Sequence, residues 1–405
     1  MIAKRFIFLF MISLFLSSCR EMKIHEVYTP EWHPPQGPNA YYVYPPEQKQ
    51  LPSIESEPTM ESEEEVVVPV KRDTIEGIAV RAPGKIMIEE SPLKPGEREA
   101  DEEAFYAVSY ISSNRYLGVN FDNDIFNNTD YYYTNGIRID YAAPIFASSP
   151  FAYSMLPYRK LSMNYHGMTV VQNMYTPTNP DTVMLLTGDR PFAAYLYLGH
   201  YKNTLSSRKR YRQYSELQFG LIGPGSLGGF VQGQIHDIPP LGWENQIQND
   251  LVLNYTALIE KGLYNPGAFD LNVFAKGQLG TLYTNAGGGM RIRAGRMNSY
   301  FGMPWLASPK SIEGQDGHKW QYGIFATGMV KMVAYDATLQ GGVFNNSSNY
   351  TIPAEDIERL VLQASAGFFV AFRQMGLMYE QFYISPEFNN GLHHKWGRIN
   401  VTFCF

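Results

Sequence analysis

"GRINVTFCF", residues 397–405, closes the chain, and its pattern decides what kind of fold precedes it. Ile399, Val401, Phe403 and Phe405 alternate with Arg398, Asn400, Thr402 and Cys404. A period of two places the first set on one face of a strand and the second on the other. A last strand with one apolar face, ending on an aromatic residue, suits a transmembrane barrel that shows apolar side chains to lipid and polar ones to its interior.

The same alternation recurs upstream. In "LNVFAKGQL", Leu271, Val273, Ala275 and Leu279 face one way and Asn272, Lys276 and Gln278 the other. "SELQFGL" sets Leu217, Phe219 and Leu221 against Glu216 and Gln218, and "LVLNYTALIE" sets Leu251, Leu253, Tyr255, Ala257 and Ile259 against Asn254, Thr256 and Glu260. In "LVLQASAGFFVAF" every even position from Leu360 to Phe372 is apolar. About twelve such segments are expected, an even number as barrels of this kind require. They span 107–121, 134–143, 161–172, 191–202, 211–222, 250–263, 268–280, 287–294, 319–338, 357–372, 374–385 and 393–405.

A soluble sandwich also alternates, so the address on the chain matters. Lys4 and Arg5 precede an apolar run from Phe6 to Leu16, too short to span a bilayer as a helix. Leu16-Ser17-Ser18-Cys19 then has the form of a lipobox, which predicts a lipoprotein signal over residues 1–18 and lipidation of Cys19. The other cysteine, Cys404, is thereby left without an intramolecular partner. Residues 19–104 are rich in Pro and Glu, with no sustained apolar period, and read as a disordered periplasmic linker. Residues 105–405 form the expected all-β domain, an antiparallel transmembrane barrel whose closure removes its own edges. The net charge of −6, with no basic aromatic stripe, argues against nucleic-acid binding.

With the N-terminus in the periplasm, segments 122–133, 173–190, 223–249, 281–286, 339–356 and 386–392 emerge on the cell surface. Short turns such as Asn265-Pro266-Gly267 and "RQMG" at Arg373–Gly376 fall on the periplasmic side. Polar chemistry collects in two of the outer segments. "NFDNDIFNNTDYYYTNGIRIDY", residues 120–141, is crowded with Asp, Asn and Tyr, and Asn, Asp and Gly are also what a plain turn uses. The segment 223–249 carries His236, which is a solvated loop residue on the plain reading and a general base on the sharper one. Oxygen ligands without a His/Cys cluster favour calcium over zinc. Gly223 to Gly228 matches G-x-G-x-x-G but lacks the strand–helix context of a nucleotide site.

The stretches "DNDIFNNTDYYYTNG", "QNMYTP", "GDRPFAAYLYLG", "LQFGLIGPGSLGGFVQGQIHDI", "GWENQIQND" and "INVTFCF" occur in one order across about three hundred residues. Together they resemble the lipid A 3′-O-deacylase family of outer-membrane barrels. The resemblance implies a calcium-dependent esterase that removes the 3′-linked acyloxyacyl chain of lipid A, the lipid moiety of lipopolysaccharide, at the outer membrane's extracellular face. It implies site residues Asn123 and Asp124, with Asp124 a metal ligand, together with Thr134 and His236, the last four residues after Gln232. Arg190 in "GDRPF" is a candidate for holding a lipid A phosphate, and the enzyme is expected to act as a monomer. Two alternatives remain open: a phospholipase A type of esterase, with Ser226 the nearest serine in the right segment, and a non-catalytic porin or surface-binding barrel.

Overall fold

Among the described residues thirteen strands form one sheet, and twelve of them close it into an antiparallel barrel. The computed structural model describes residues 109–405 apart from 113, 128–130, 160–161, 181–184, 236–240 and 303–317. The expected signal peptide, Cys19 and the linker over 19–104 lie outside the described residues.

In chain order the strands are β1 (Ser109–Ile111), β2 (Tyr116–Asn123), β3 (Tyr132–Ala142), β4 (Ser162–Thr176), β5 (Ala193–Ser206), β6 (Tyr211–Ile222) and β7 (Asp250–Tyr264). There follow β8 (Phe269–Gly280), β9 (Tyr283–Arg296), β10 (Trp320–Asp336), β11 (Leu360–Phe372), β12 (Met375–Ile384) and β13 (His394–Cys404). Each strand from β2 to β13 pairs with its sequence neighbour, and β13 returns to β2 through Gly397↔Asn123 to Cys404↔Tyr116. Closure gives every ladder a partner, as the hydrocarbon region demands of a β structure.

The alternation read from the sequence sets inside and outside. Leu360, Leu362 and Phe368 of β11 stand 60%, 51% and 52% exposed on the outer wall, whereas Ser365 is buried and donates to Glu380 Oε1 on the neighbouring β12 at 2.6 Å. Inside, charges answer each other: Arg398 binds Asp122 at 2.6 Å, Arg138 binds Asp140 and Glu216 at 2.8 Å each, and Arg291 binds Glu260 at 3.1 Å. Arg138 and Asp140 lie on one strand and the other pairs join different strands, and desolvation offsets much of the attraction within such pairs. Among the described residues no helix is long and apolar enough to cross a membrane.

Two features depart from the expected layout. The first predicted strand, 107–121, is two strands. β3 pairs with β4 only as far as Ala142↔Gly167, which leaves the Ser162–Asn164 end of β4 an open edge. β1 fills that edge in parallel, Ser109↔Ser162 to Ile111↔Asn164, and satisfies groups that would otherwise be unpaired. The chain then crosses to begin β2.

The second departure is at the same end, in the β3–β4 connection. Two short 3-10 turns, Pro144–Ser148 and Pro150–Ser154, lead into a strap laid on the outside of the barrel. The alternation puts His166, His200, Lys202 and Ser215 on that outer wall, yet each is at most 2% exposed because the strap covers them. Lys202 Nζ donates to the Leu156 carbonyl, and the Leu156 amide donates to Ser215 Oγ at 3.1 Å. Gln213 Nε2 donates to the Pro157 carbonyl at 3.0 Å. Polar residues on a lipid-facing wall are thus explained by a strap whose backbone they hold.

Candidate functional site

The barrel end opposite the strap is closed over by interlocking loops. The Gly188 amide donates to Tyr350 Oη at 2.6 Å, the Leu392 amide to Tyr132 Oη at 3.1 Å, and Asn349 Nδ2 to Asn245 Oδ1 at 2.9 Å. Arg190 and Glu387 pair across this end at 2.8 Å. The loops that bear the Asp/Asn-rich run and the 223–249 segment both belong here.

Asn123 ends β2. Tyr116, Asn120 and Asp122 of that strand line the interior cavity, so the alternation turns Asn123 to the outer wall. Its Oδ1 accepts from the Ile125 amide at 2.8 Å, an Asx turn that stops the strand and starts a 3-10 turn over Asp124–Asn127. Asp124 is 3% exposed, and its Oδ2 accepts from the Tyr131 amide at 3.1 Å. The turn lies against the outside of β12 and β13. The Phe126 ring occupies the space above Gly397, where a Cβ would stand 2.6 Å from it, and Gln381 Nε2 donates to Asn127 Oδ1 at 3.0 Å.

Thr134 sits at an irregularity. Tyr133 pairs with Tyr175 and Asn135 with Met174, so Thr134 is the extra residue of a β-bulge. The bulge lets Tyr133 and Gly136 both face the cavity while Thr134 does not. Thr134 is buried, and its Oγ1 donates to the Met174 carbonyl at 3.4 Å.

The 223–249 segment supplies the roof. Gly223, at φ +100, turns the chain off β6, and Ser226 Oγ donates back to the Gly223 carbonyl at 2.7 Å. A short helix, α1 (Gly228–Ile235), then runs against the outer wall of β4 and β5. It can do so because Gly228 has no side chain: a Cβ there would come within 2.2 Å of Ala194 Cβ. Trp243, returning after the helix, packs its ring over Gly229 and 5.1 Å from the Phe192 ring. Its Nε1 donates to Gln232 Oε1 at 2.7 Å, and Gln232 is 2% exposed. His236 follows Ile235 directly in the chain and lies outside the described residues.

Asn123, Asp124, Thr134 and α1 therefore share the outer face of the barrel at its looped end. Their donors are a carboxylate, amide oxygens and a hydroxyl, a set that fits a hard cation such as calcium. Among the described residues no group of three or more His, Cys, Asp or Glu side chains converges on one point. Any cation here would be held by one carboxylate and neutral oxygens, an arrangement of modest affinity because affinity follows ligand charge.

Arg190 does not join this group. It is 1% exposed, its guanidinium pairs with Glu387, donates to Thr338 Oγ1 at 2.6 Å, and lies 4.2 Å from the centre of the Tyr175 ring. Tyr175 lines the interior, so Arg190 pins the loops from within, and phosphate holding is not what its surroundings support. Ser226 is likewise spent: fully buried and bonded to the Gly223 carbonyl, it offers no nucleophile. Trp243, which ties Gln232 into the roof, is the partner that the sequence alone did not single out.

The interior holds a cavity of about 570 Å³. Its charged lining is balanced: Arg138, Arg212, Lys276, Arg291, Lys331 and Arg398 face Asp122, Asp140, Glu216, Asp336, Glu380 and Glu387. A path selective for ions of one sign would need an excess of the other.

A family model described as outer membrane protein LpxR matches residues 99–405 of the chain. Among solved structures, LpxR from Salmonella typhimurium is similar at 19% identity with a TM-score of 0.57, the match covering 71% of this chain and 99% of that one. The β domain of the Bordetella autotransporter BrkA is similar at 10% identity with a TM-score of 0.37, covering 72% of this chain and 99% of that one. No curated protein matches the chain.

Proposed function

Since the chain belongs to the LpxR family of outer-membrane proteins, we propose that it is an ester hydrolase that removes the 3′-linked acyloxyacyl chain from lipid A. The observation that carries this reading is the side of the wall on which the polar group stands. Asn123, Asp124 and Thr134 are on the barrel's outer face at the looped end, the face against which α1 also runs, and not in the interior. A lipid held in the outer leaflet can bring an ester to that face by lateral diffusion, without entering the barrel. On this reading the looped end would face the cell surface.

His236 is the general base of the proposed reaction. It takes a proton from water as the water oxygen attacks the ester carbonyl carbon. The tetrahedral oxyanion then collapses, the bond from carbonyl carbon to sugar oxygen breaks, and the proton passes to the departing 3′-oxygen. The products are a free acyloxyacyl acid and a 3′-hydroxyl. Asp124 would hold calcium, with Asn123 and Thr134 as supporting polar groups. When bound, the cation supplies Lewis-acid stabilisation of the carbonyl oxygen.

Mass spectrometry of lipid A from cells with and without the protein tests the reading. Loss of the 3′-acyloxyacyl mass only on expression is the expected result, and unchanged lipid A from cells holding the inserted barrel would refute it. Release of phospholipid fatty acids instead would favour the phospholipase alternative.

A further inference from the structure

The arginines that line the interior cavity all spend their donors. Arg138 donates to Glu216 and Asp140, Arg398 to Asp122, Arg291 to Glu260, and Arg212 to Asn203 and Tyr300. The two lysines of the same lining do not. Among the described residues Lys276 Nζ makes no ion pair and no hydrogen bond, and Lys331 Nζ reaches Glu387 Oε1 only at 3.7 Å, too far for a hydrogen bond. The register brings these two ammoniums together. Lys276 of β8 pairs with Gly287 of β9, and Gly287 pairs with Lys331 of β10. They stand about 10 Å apart along one row of the wall, two strand spacings, with no side chain between them. Their four-carbon stems can meet over the glycine. Gln363 of β11 is diagonal to Lys331, since it pairs with Met329, and its side-chain amide also lines the cavity without a partner among the described residues. Lys331, Arg138 and Arg398 act on Lys276 with the same sign and Glu216 with the opposite one. The lumen is balanced in total charge but positive at this wall.

We infer that the lumen binds a small phosphate-class dianion between Lys276 and Lys331, with the Gln363 amide as a further donor. Two ammoniums match two negative charges, and the oxygens of a tetrahedral anion accept charge-assisted hydrogen bonds from several donors at once. Water would hydrate the ammoniums without cancelling the repulsion between them, whereas a dianion does both. The cavity, about 570 Å³, has room for a small polar solute attached to the phosphate. The site lies inside the barrel, apart from the outer-wall group, and a protein without deacylase activity would still show it.

Calorimetric titration of the full-length protein in detergent micelles tests the site, with inorganic phosphate and glycerol phosphate as probes and chloride at equal ionic strength as the reference. One saturable equivalent per barrel is expected for a phosphate probe and none for chloride. Tighter binding of glycerol phosphate would assign the site to a phosphorylated solute, and tighter binding of inorganic phosphate to the free ion. Lys276→Met should weaken binding by about 10- to 100-fold, the range for a lost hydrogen bond to a charged group. Gln363→Ala, which touches no ion pair, should weaken it by about fivefold. Lys209→Met removes the same charge from an exposed turn and should bind as the wild type does. Heat-modifiability on gels shows whether each variant is a folded barrel. A wild type with no saturable binding of either phosphate probe would overturn the inference. So would chloride heats equal to those of phosphate, or a folded Lys276→Met that binds as tightly as the wild type. Should Lys276→Met fail to fold, wild-type affinity in Gln363→Ala would overturn it instead.

Discussion

At the residue scale, local geometry is legible in the sequence where short-range chemistry decides it. Asn123 and Asp124 stand out because an Asx turn ends β2 there, and Asn and Asp are the residues that make one. Thr134 was visible as a polar residue in an aromatic run, but the bulge that turns it from the interior was not. A bulge is set by how two strands pair, and one strand's sequence does not encode its partner's register. Arg190 failed for a related reason. Its place in the looped end could be read, but period two stops at the end of a strand, so the inward direction of its side chain could not. At this scale His236→Ala should lower deacylation by roughly two to four orders of magnitude, the range of a lost general base, while the barrel stays heat-modifiable on gels. The wild-type rate should rise with pH through about 6 to 7, since the base acts in its neutral form. A variant that keeps the wild-type rate would place the base elsewhere. Asp124→Asn should act by a different route: with one charged ligand removed, activity should fall at low calcium and partly return at millimolar calcium. Chelator should abolish turnover in the wild type. Full activity in excess chelator, with no metal in the purified protein, would exclude calcium.

Elements were read well where they span the wall, since each needs one apolar face for its whole length. β6 runs over 211–222, as its alternation predicts, and β13 from His394. What escaped were the break between β1 and β2 and the pieces that lie on the wall, the strap and α1. Their docking depends on single close approaches and on outward polar residues that break the lipid-facing rule. α1 depends on Gly228, whose added Cβ would meet Ala194 Cβ, an atom that cannot move aside. Gly228→Ala should therefore push the helix off β5 and, because displacements of this size cost about 100-fold in rate, largely silence the site in an otherwise folded barrel. Wild-type kinetics in Gly228→Ala would show that α1 need not touch the wall. The strap offers the opposite case. Lys202→Met removes the ammonium that donates to Leu156 and lies 4.0 Å from the centre of the Tyr158 ring. Limited proteolysis between 144 and 158 should then speed up with deacylation unchanged, because the site is at the other end. Unchanged cleavage would mean that Ser215 and Gln213 hold the strap without Lys202.

For the molecule as a whole, the looped end depends on charge as much as on packing. Tyr132, Leu339, Ile352, Phe388 and Trp396 form an apolar cluster there, and Arg190, Glu387 and Lys331 form a charged one beside it. Burial works to raise the Glu387 carboxyl, but Arg190 at 2.8 Å and Lys331 at 3.7 Å, with His394 nearby, outweigh it and hold the group below the usual carboxylate range. A carboxyl with a lowered folded-state pKa stabilises the fold in its ionised form. The contribution is complete above the ordinary pKa, about 4.3, and is lost as pH falls through the lowered value. Glu387→Gln removes the charge and leaves Arg190 buried beside a neutral amide, so at neutral pH it should destabilise by about 3 kcal/mol, the cost of breaking a buried pair. The gap in unfolding temperature between wild type and Glu387→Gln, followed by heat-modifiability, should be largest above pH 5 and shrink steadily below pH 4. The loop that carries Arg190 continues into Phe192, which packs on Trp243 of the roof, so acid should loosen this end before it opens the strands. A gap that stayed constant from pH 7 to pH 3 would show that Glu387 is not what ties the looped end together.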